Sequence, residues 1–314
     1  MSEIALESSL EGTLKVSKAK SPILSRTKLG HKEKLVPYLY LLPSFILFGL
    51  FVYYPFFKTI YLSFNLTNRR GEAVEFVELE NYIELLTSAS FYNSLGVTFK
   101  FAILIIIPTM VISLALALLA DNKLKHNRIY ELMFSMPMAI ASAPAAMIWI
   151  LIFHPTNGIA NYLLNTNIRW LADPKVAIYV VAFVTVWLGL GMNFIFLFTG
   201  LKSVPKELIE SANIDGASYL QKVKAVILPL LTPQLFFVLF MNLVGAFQAF
   251  GQIKLLTQGG PGDSTNVIVH SIYRDAFFNG RFEMASSQSI ILFLIVFSMT
   301  LVQLAFEKKG VHYK

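Results

Sequence analysis

Residues 201–233, LKSVPKELIESANIDGASYLQKVKAVILPLLTP, form a polar run caught between two strongly apolar ones, and the reading of that run decides the fold. Pro205 suits the first turn of a helix, where its missing N–H would be unpaired in any case. Residues 207–213 continue that helix, and Asp215-Gly216 is a turn signal that ends it. A second helix restarts at Ala217 and enters the next apolar stretch. Leu208, Ile209 and Ala212 fall near one face of the first helix, an apolar ridge suited to a groove in another protein, and Glu210 offers a charge to a basic residue there. Gly216 permits a backbone angle that a side chain opposes, so the two helices meet sharply. Pro229 removes one backbone donor and bends the entry of the following helix.

Working outward, six apolar segments are long enough to cross a hydrocarbon core that needs roughly 20 helical residues. They fall at 35–57, 99–120, 132–153, 176–201, 226–250 and 285–306. Of the 314 residues, 55% are hydrophobic and only 14% charged, too apolar for a soluble domain of this length. The fold class expected is therefore all-α: a polytopic membrane protein of six helices. A basic tail at 1–34 precedes a transmembrane domain at 35–306, with the polar loop at 202–225 and a short end at 307–314.

Charge orients these spans. Lys and Arg crowd the amino-terminal tail, the loop with Lys123, Lys125 and Arg128, the 202–225 loop, and the end with Lys308, Lys309 and Lys314. The first loop on the opposite side is acidic, with Glu72, Glu75, Glu78, Glu80 and Glu84. By the positive-inside tendency both termini and the 202–225 loop face the cytoplasm. The net charge of +7 thus sits at membrane edges, facing lipid headgroups, and gives no reason to expect nucleic acid. The absence of cysteine excludes disulfides and thiolate metal sites. Within the opposite loops, 81–87 and 267–278 are amphipathic, and 257–262 is a turn.

No catalytic Ser-His-Asp arrangement, metal-spaced His pair or Gly-Lys-Ser/Thr phosphate loop is found. The chain is not expected to be an enzyme or to hold a cofactor, and ATP, if used, belongs to a partner. The span interiors also lack ionisable residues of the kind that ion-coupled transporters keep in the membrane. That weighs against the alternative, a self-sufficient secondary transporter or channel. The uncharged residues Asn193, Asn242 and Gln248 are candidates for a solute pathway, since Asn and Gln offer paired donors and acceptors. Gln303, Trp149 and Trp187 are further polar or aromatic residues of the spans, and Arg169, Lys254 and Arg274 are loop cations able to meet an anion.

The central run resembles the cytoplasmic loop of permease subunits of ATP-binding cassette importers. The family pattern is Glu-Ala-Ala, three residues, Gly, nine residues, Ile, one residue, Leu-Pro. It falls here on Glu210, Ser211, Ala212, Gly216, Val226, Leu228 and Pro229, with Ser211 and Val226 as the two departures. Further likeness lies in Tyr54-Pro55-Phe56 with Ser63, in Pro144-Ala145-Ala146 with Trp149 and Phe153-His154-Pro155, and in 256–261 with Tyr273 and Phe277. These stretches are similar to the carbohydrate-uptake branch, above all to sn-glycerol-3-phosphate and sugar permeases. The resemblance implies a bacterial cell-membrane permease subunit with a second permease, two ATPase subunits and an extracytoplasmic solute-binding protein as partners. It also implies that Glu210, Ser211, Ala212, Asp215, Gly216, Leu228 and Pro229 form the ATPase-coupling joint.

Overall fold

The computed structural model describes residues 31–121 and 127–310. The tail to residue 30, Lys123, Lys125 and Lys314 lie outside the described residues. The chain divides into two units, 1–55 and 56–314. In the first, α1 (His31–Phe48) passes into a π-helical turn (Gly49–Tyr53); α2 (Tyr54–Ser63) starts there and lies mostly in the second. The apolar run Tyr38–Ser63 is long enough to span a membrane.

A hairpin follows, among the described residues the one departure from an all-helical expectation. β1 (Asn65–Thr67) pairs antiparallel with β2 (Ala73–Phe76), Asn65 facing Phe76 and Leu66 facing Glu75. Its turn is built by Asn68, whose Oδ1 accepts from the N–H groups of Arg70 (2.9 Å) and Glu72 (3.1 Å), the short-range bonding by which Asn competes with helix. The amphipathic 81–87 run is α3 (Glu80–Thr87), tied down by buried Asn81, whose amide donates to the carbonyls of Ser63 (3.0 Å) and Asn65 (3.1 Å).

α4 (Ala89–Asp121) begins ten residues before the expected second span and packs most closely against α8 (Ala177–Lys202). Its extension is amphipathic enough to be buried on one face by Phe91, Ser94 and Thr98. Lys100, near the start of the expected span, lies over the Tyr179 ring at 5.0 Å.

The third expected span, 132–153, is not straight. α5 (Asn127–Ser135) and a 3-10 turn (Met136–Ala139) meet α6 (Ser142–Ile152) at 98°. Pro137 lies at the start of the 3-10 turn, and Pro144 falls in the first turn of α6, where a missing N–H costs nothing. The two prolines thus stand at helix starts on either side of the bend. The bent pair presses on α8 at Gly191: a Cβ there would stand 2.7 Å from the Ser135 carbonyl oxygen and 2.9 Å from Met138 Cβ. Small residues let helix backbones approach in this way. After the short α7 (Ile159–Leu164), Asn161 collects Trp170 Nε1 (2.8 Å), Thr166 Oγ1 (3.0 Å) and the Ile168 N–H (3.2 Å) on its side-chain oxygen.

The polar loop holds α9 (Lys206–Ile214) and α10 (Tyr219–Lys222), then a π turn (Val223–Ile227) and α11 (Leu228–Phe247). The whole run Tyr219–Phe247 is one apolar span. Both π turns end two residues before a proline, Pro55 and Pro229, and in each the residue between them donates five residues back, Tyr54 to Gly49 and Leu228 to Val223. Widening one turn relieves the clash between the proline ring and the carbonyl four residues earlier. Pro233 would likewise orphan the Pro229 carbonyl, and the Thr232 hydroxyl donates to it at 2.8 Å. The chain closes with α12 (Gly251–Leu256), α13 (Ile268–Phe277), which is the expected amphipathic run, and α14 (Phe282–Gly310).

At the end of the bundle that carries α3 and α13, Arg281 grips Glu84 through two bonds of 2.8 Å and reaches buried Glu283 at 3.2 Å. The Arg281 hydrogen bond holds the Glu84 carboxyl below the usual carboxylate range against a smaller opposing effect of burial, and the same partner raises Arg281. A carboxylate depressed by folding stabilises the folded state above its unfolded pKa, and that contribution is lost as pH falls through the folded value. The melting temperature of the wild type should therefore fall more than that of Glu84→Gln between pH 7 and pH 4, measured side by side in detergent. Gly191→Leu should also abolish a monodisperse size-exclusion peak, whereas Gly96→Ala, with open space around the added Cβ, should leave it intact.

Candidate functional site

Three long helices change character at one level. Along α4, buried Phe101, Ala102 and Ile105 give way to Thr109 and Ser113 before Ala117 and Ala120 resume an apolar face. Along α8, Ile178 to Val186 are followed by Gly189 and Asn193, then by Phe194 and Leu197. Along α11, Leu231 and Val238 precede Asn242, and Ala246 and Phe247 follow it. The apolar residues fall into two separate clusters, and the polar layer lies between them.

Into this layer opens a cleft of about 490 Å³. It is lined by Thr109 of α4, Ser142 of α6, Thr185 and Gly189 of α8, Asn242 and Gly245 of α11, and the break from Gln248 to Gln252. Both irregular elements meet here: α6 packs against α12, and a Cβ on Gly251 would touch Ser142 Oγ at 3.7 Å. Irregular backbone at membrane depth is tolerated where it lines a cavity.

Of the three predicted pathway residues, Asn242 and Gln248 line the cleft and Asn193 does not. Asn193 stands behind Asn242 and accepts a short hydrogen bond from its amide, while donating its own amide to the Gly189 carbonyl at 2.7 Å. The second Asn242 proton goes to the Val238 carbonyl, also at 2.7 Å. With both donors used, Asn242 presents its oxygen to the cleft. Around it stand two Thr hydroxyls, Ser142 and the Gln248 and Gln252 amides, an uncharged surface suited to hydroxyl groups. Thr109, Thr185, Ser142 and Gln252 escaped notice in the sequence because short polar residues are ordinary in membrane helices. Trp149 and Trp187 pack edge to face at 5.5 Å among Phe153 and Phe183, and Gln303 ties α14 to the Phe236 carbonyl at 2.8 Å.

A second candidate surface lies about 30 Å away, the length of α11 at 1.5 Å per residue. α9 ends in a helix stop with Gly216 at φ +74: the Gly216 N–H donates to Asn213 and the Ala217 N–H to Ala212. Ser218 then caps α10 reciprocally with Gln221, and Lys222 Nζ reaches back to Asn213 Oδ1 at 2.6 Å. Helix, turn and helix are thereby one stiff piece. Tyr219 braces it on the bundle, its hydroxyl donating to the Leu118 carbonyl at 3.5 Å, beside the Lys202–Asp121 pair that ties the ends of α8 and α4 at 2.9 Å. Glu210, Ser211, Asp215 and Gly216 are exposed, Ala212 and Leu228 half-buried, and Pro229 exposed at the foot of α11. Of the expected apolar ridge, Leu208 is exposed. Ile209 and Ala212 turn partly inward, and the side chain thrust outward beside Glu207 and Glu210 is Ile214, 87% exposed, with Leu220 at 69% on the partner helix.

Comparison with known proteins places this geometry. Residues 103–310 match the family described as binding-protein-dependent transport system inner membrane component. The chain belongs to this family. It is 37% identical over 285 residues to an sn-glycerol-3-phosphate transport system permease protein, UgpA, of Agrobacterium fabrum, covering 90% of this chain and 97% of the relative. The UgpA protein of Yersinia enterocolitica is 32% identical over 295 residues, covering 93% and 100%. Among solved structures, a bacterial ABC transporter involved in import of the acidic polysaccharide alginate shares the fold at a TM-score of 0.79 and 21% identity, over 88% of this chain and 96% of that one. The protein is thus an inner-membrane permease subunit of a binding-protein-dependent importer, with five long apolar helices, or six spans if the bent α5–α6 pair is one.

The Gly216 backbone angle generates a direct test of the joint. A Cβ there meets no atom within 4 Å, so Gly216→Val acts through φ alone, at about 1–2 kcal/mol. The variant is expected to insert and purify normally yet lose the fixed angle between α9 and α10, read as a broadened spin-label distance between sites on the two helices.

Proposed function

We propose that this subunit carries a carbohydrate-class solute, a sugar, an oligosaccharide or sn-glycerol-3-phosphate, through the cleft at the polar layer by alternating access. The observation that carries the reading is the continuity of the helical run Tyr219–Phe247, which leads from the loop to Asn242 and the Gln248 break. A second permease would complete the open side of the cleft. An extracytoplasmic binding protein would deliver solute to the end bearing α3 and α13. Two ATPase subunits would engage α9 and α10, with Glu210 facing a basic residue and Ile214 and Leu220 entering an apolar groove. This assignment makes 35–306 a six-span domain counting α5–α6 as one, with both termini and the 202–225 loop cytoplasmic, as the distribution of Lys and Arg supports. ATP binding then favours one orientation of the loop pair, and the stiff joint passes that preference to the cleft.

The reading is tested by reconstituting the importer in liposomes with its binding protein and measuring solute-stimulated ATP hydrolysis. The panel is sn-glycerol-3-phosphate with neutral mono- and oligosaccharides. Glu210→Lys should reduce uptake by about tenfold or more and release the ATPase subunits on pull-down, reversing a charge-assisted contact, while leaving insertion unchanged. Retention of the ATPase at wild-type yield would remove Glu210 from the interface. Uptake by vesicles holding this chain alone would replace the whole scheme by a self-sufficient transporter.

A further inference from the structure

α12 leaves the cleft through Gly251 and Gln252 and presents Lys254 on its next turn. The Lys254 ammonium lies 4.8 Å from the centre of the Tyr273 ring and 4.9 Å from that of Phe278. Phe250, a lining residue of the cleft, packs on the same Tyr273 at 5.0 Å and on His270 at 6.2 Å. An aromatic wall therefore runs unbroken from the cleft to Lys254.

Two neighbouring cations are neutralised. Arg274 pairs with Asp263 at 2.7 Å, and Arg281 with Glu84 and Glu283. Lys254 has no ion pair among the described residues; ring faces alone hold it. Rings attract a cation through their quadrupole but bring no opposing charge, so the positive potential remains. Burial, and then the charges of Lys254 and Arg274, push His270 below the usual imidazole range, so it adds no charge of its own near pH 7. The cleft itself is lined by uncharged groups. One fixed positive charge thus stands beside a neutral hydroxyl-binding surface, joined to it by aromatic faces of the kind that pack on sugar rings.

We propose that Lys254, clamped between Tyr273 and Phe278, is an anion-selecting residue at the mouth of the cleft, matched to a solute that joins a polyhydroxylated body to a phosphate monoester or carboxylate. The proposal rests on the cleft being the solute pathway. Its role is electrostatic attraction and orientation of the acidic group.

The chain has no cysteine, which permits a test that needs no known solute. In the assembled importer in liposomes, Gln252→Cys is labelled at low salt by an anionic and by a cationic methanethiosulfonate of similar size. The ratio of anionic to cationic rates should fall about threefold or more when Lys254→Gln is added, persist with Lys254→Arg, and converge at high salt. An unchanged ratio in Lys254→Gln overturns the proposal. A second arm measures maximal uptake of sn-glycerol-3-phosphate, a uronate oligosaccharide and a neutral oligosaccharide, each with a binding protein that accepts it. Lys254→Gln should slow the anionic solutes and spare the neutral one, and whichever anion is slowed identifies phosphate or carboxylate as the group read. Equal slowing of all three with weakened attachment of the binding protein would assign the charge to protein docking and overturn solute selection. Failure of the wild type to import any solute through this complex would defeat the transport reading itself, separately from Lys254.

Discussion

The short hydrogen bond between Asn242 and Asn193 fixes how α8 and α11 sit, because it lies in the polar layer that separates two apolar clusters. Apolar side chains gain little from meeting one another inside lipid, where tails are as apolar as Leu. Register must come from close packing and from polar groups with few alternatives. Asn193 can satisfy its amide on Gly189 and its oxygen on Asn242 only if α8 and α11 keep this relative height. Bonds of this kind are worth about 0.6 to 2 kcal/mol each in a membrane. That is modest as stability, but it leaves Asn242 with its oxygen aimed at the cleft and no donor to spare.

The same constraint explains why irregular backbone gathers at this level. α11 stops at Phe247, one turn beyond Asn242, and α6 starts at Ser142 after the 98° bend, so the two interruptions face each other across the cleft. Below the polar layer the helices are regular except at the π turn, and that irregularity sits where the loop joins α11. A widened turn next to Pro229 can change its pitch without breaking an apolar contact far above it. The loop pair is stiff within itself, through the Gly216 stop, the Ser218 cap and the Lys222–Asn213 bond. The irregular turn thus lies between the bonded loop pair and the regular helix, where the proposed coupling of ATPase subunits to the cleft would pass.

Much of this was legible in residues 201–233, because local rules govern local structure. Asp215-Gly216 announced the stop and its positive φ, and Pro205 the start, without reference to anything distant. The spans were legible from hydrophobic length alone, and the amphipathic helices α3 and α13 from their periodicity. The bend at 140–141 was not, since an apolar run reads the same whether it is one helix or two, and only the spacing of Pro137 and Pro144 hinted at a second start. Nor could sequence show that Ile214 stands more exposed than the ridge of Leu208, Ile209 and Ala212, of which Ile209 and Ala212 are half-buried. Contacts such as Arg281 with Glu84, 197 residues apart, depend on the completed bundle, and no pattern within either segment announces them.

The two candidate sites differ in what they ask of charge, and the difference follows from solvent. At the loop, exposed Glu207 and Glu210 cost little to keep because water solvates them until a partner arrives. At the cleft a fixed charge would be expensive and would hold an oppositely charged solute too long, since Coulomb attraction strengthens as the dielectric falls. Neutral amides and hydroxyls avoid that trap: each hydrogen bond to a solute replaces one to water and is readily exchanged back. Placing the cation one helical turn outside, on ring faces and not on a carboxylate, keeps its field while leaving the cleft uncharged. On the proposed reading, attraction and passage fall to different residues, Lys254 for the first and Asn242 with Gln248 for the second.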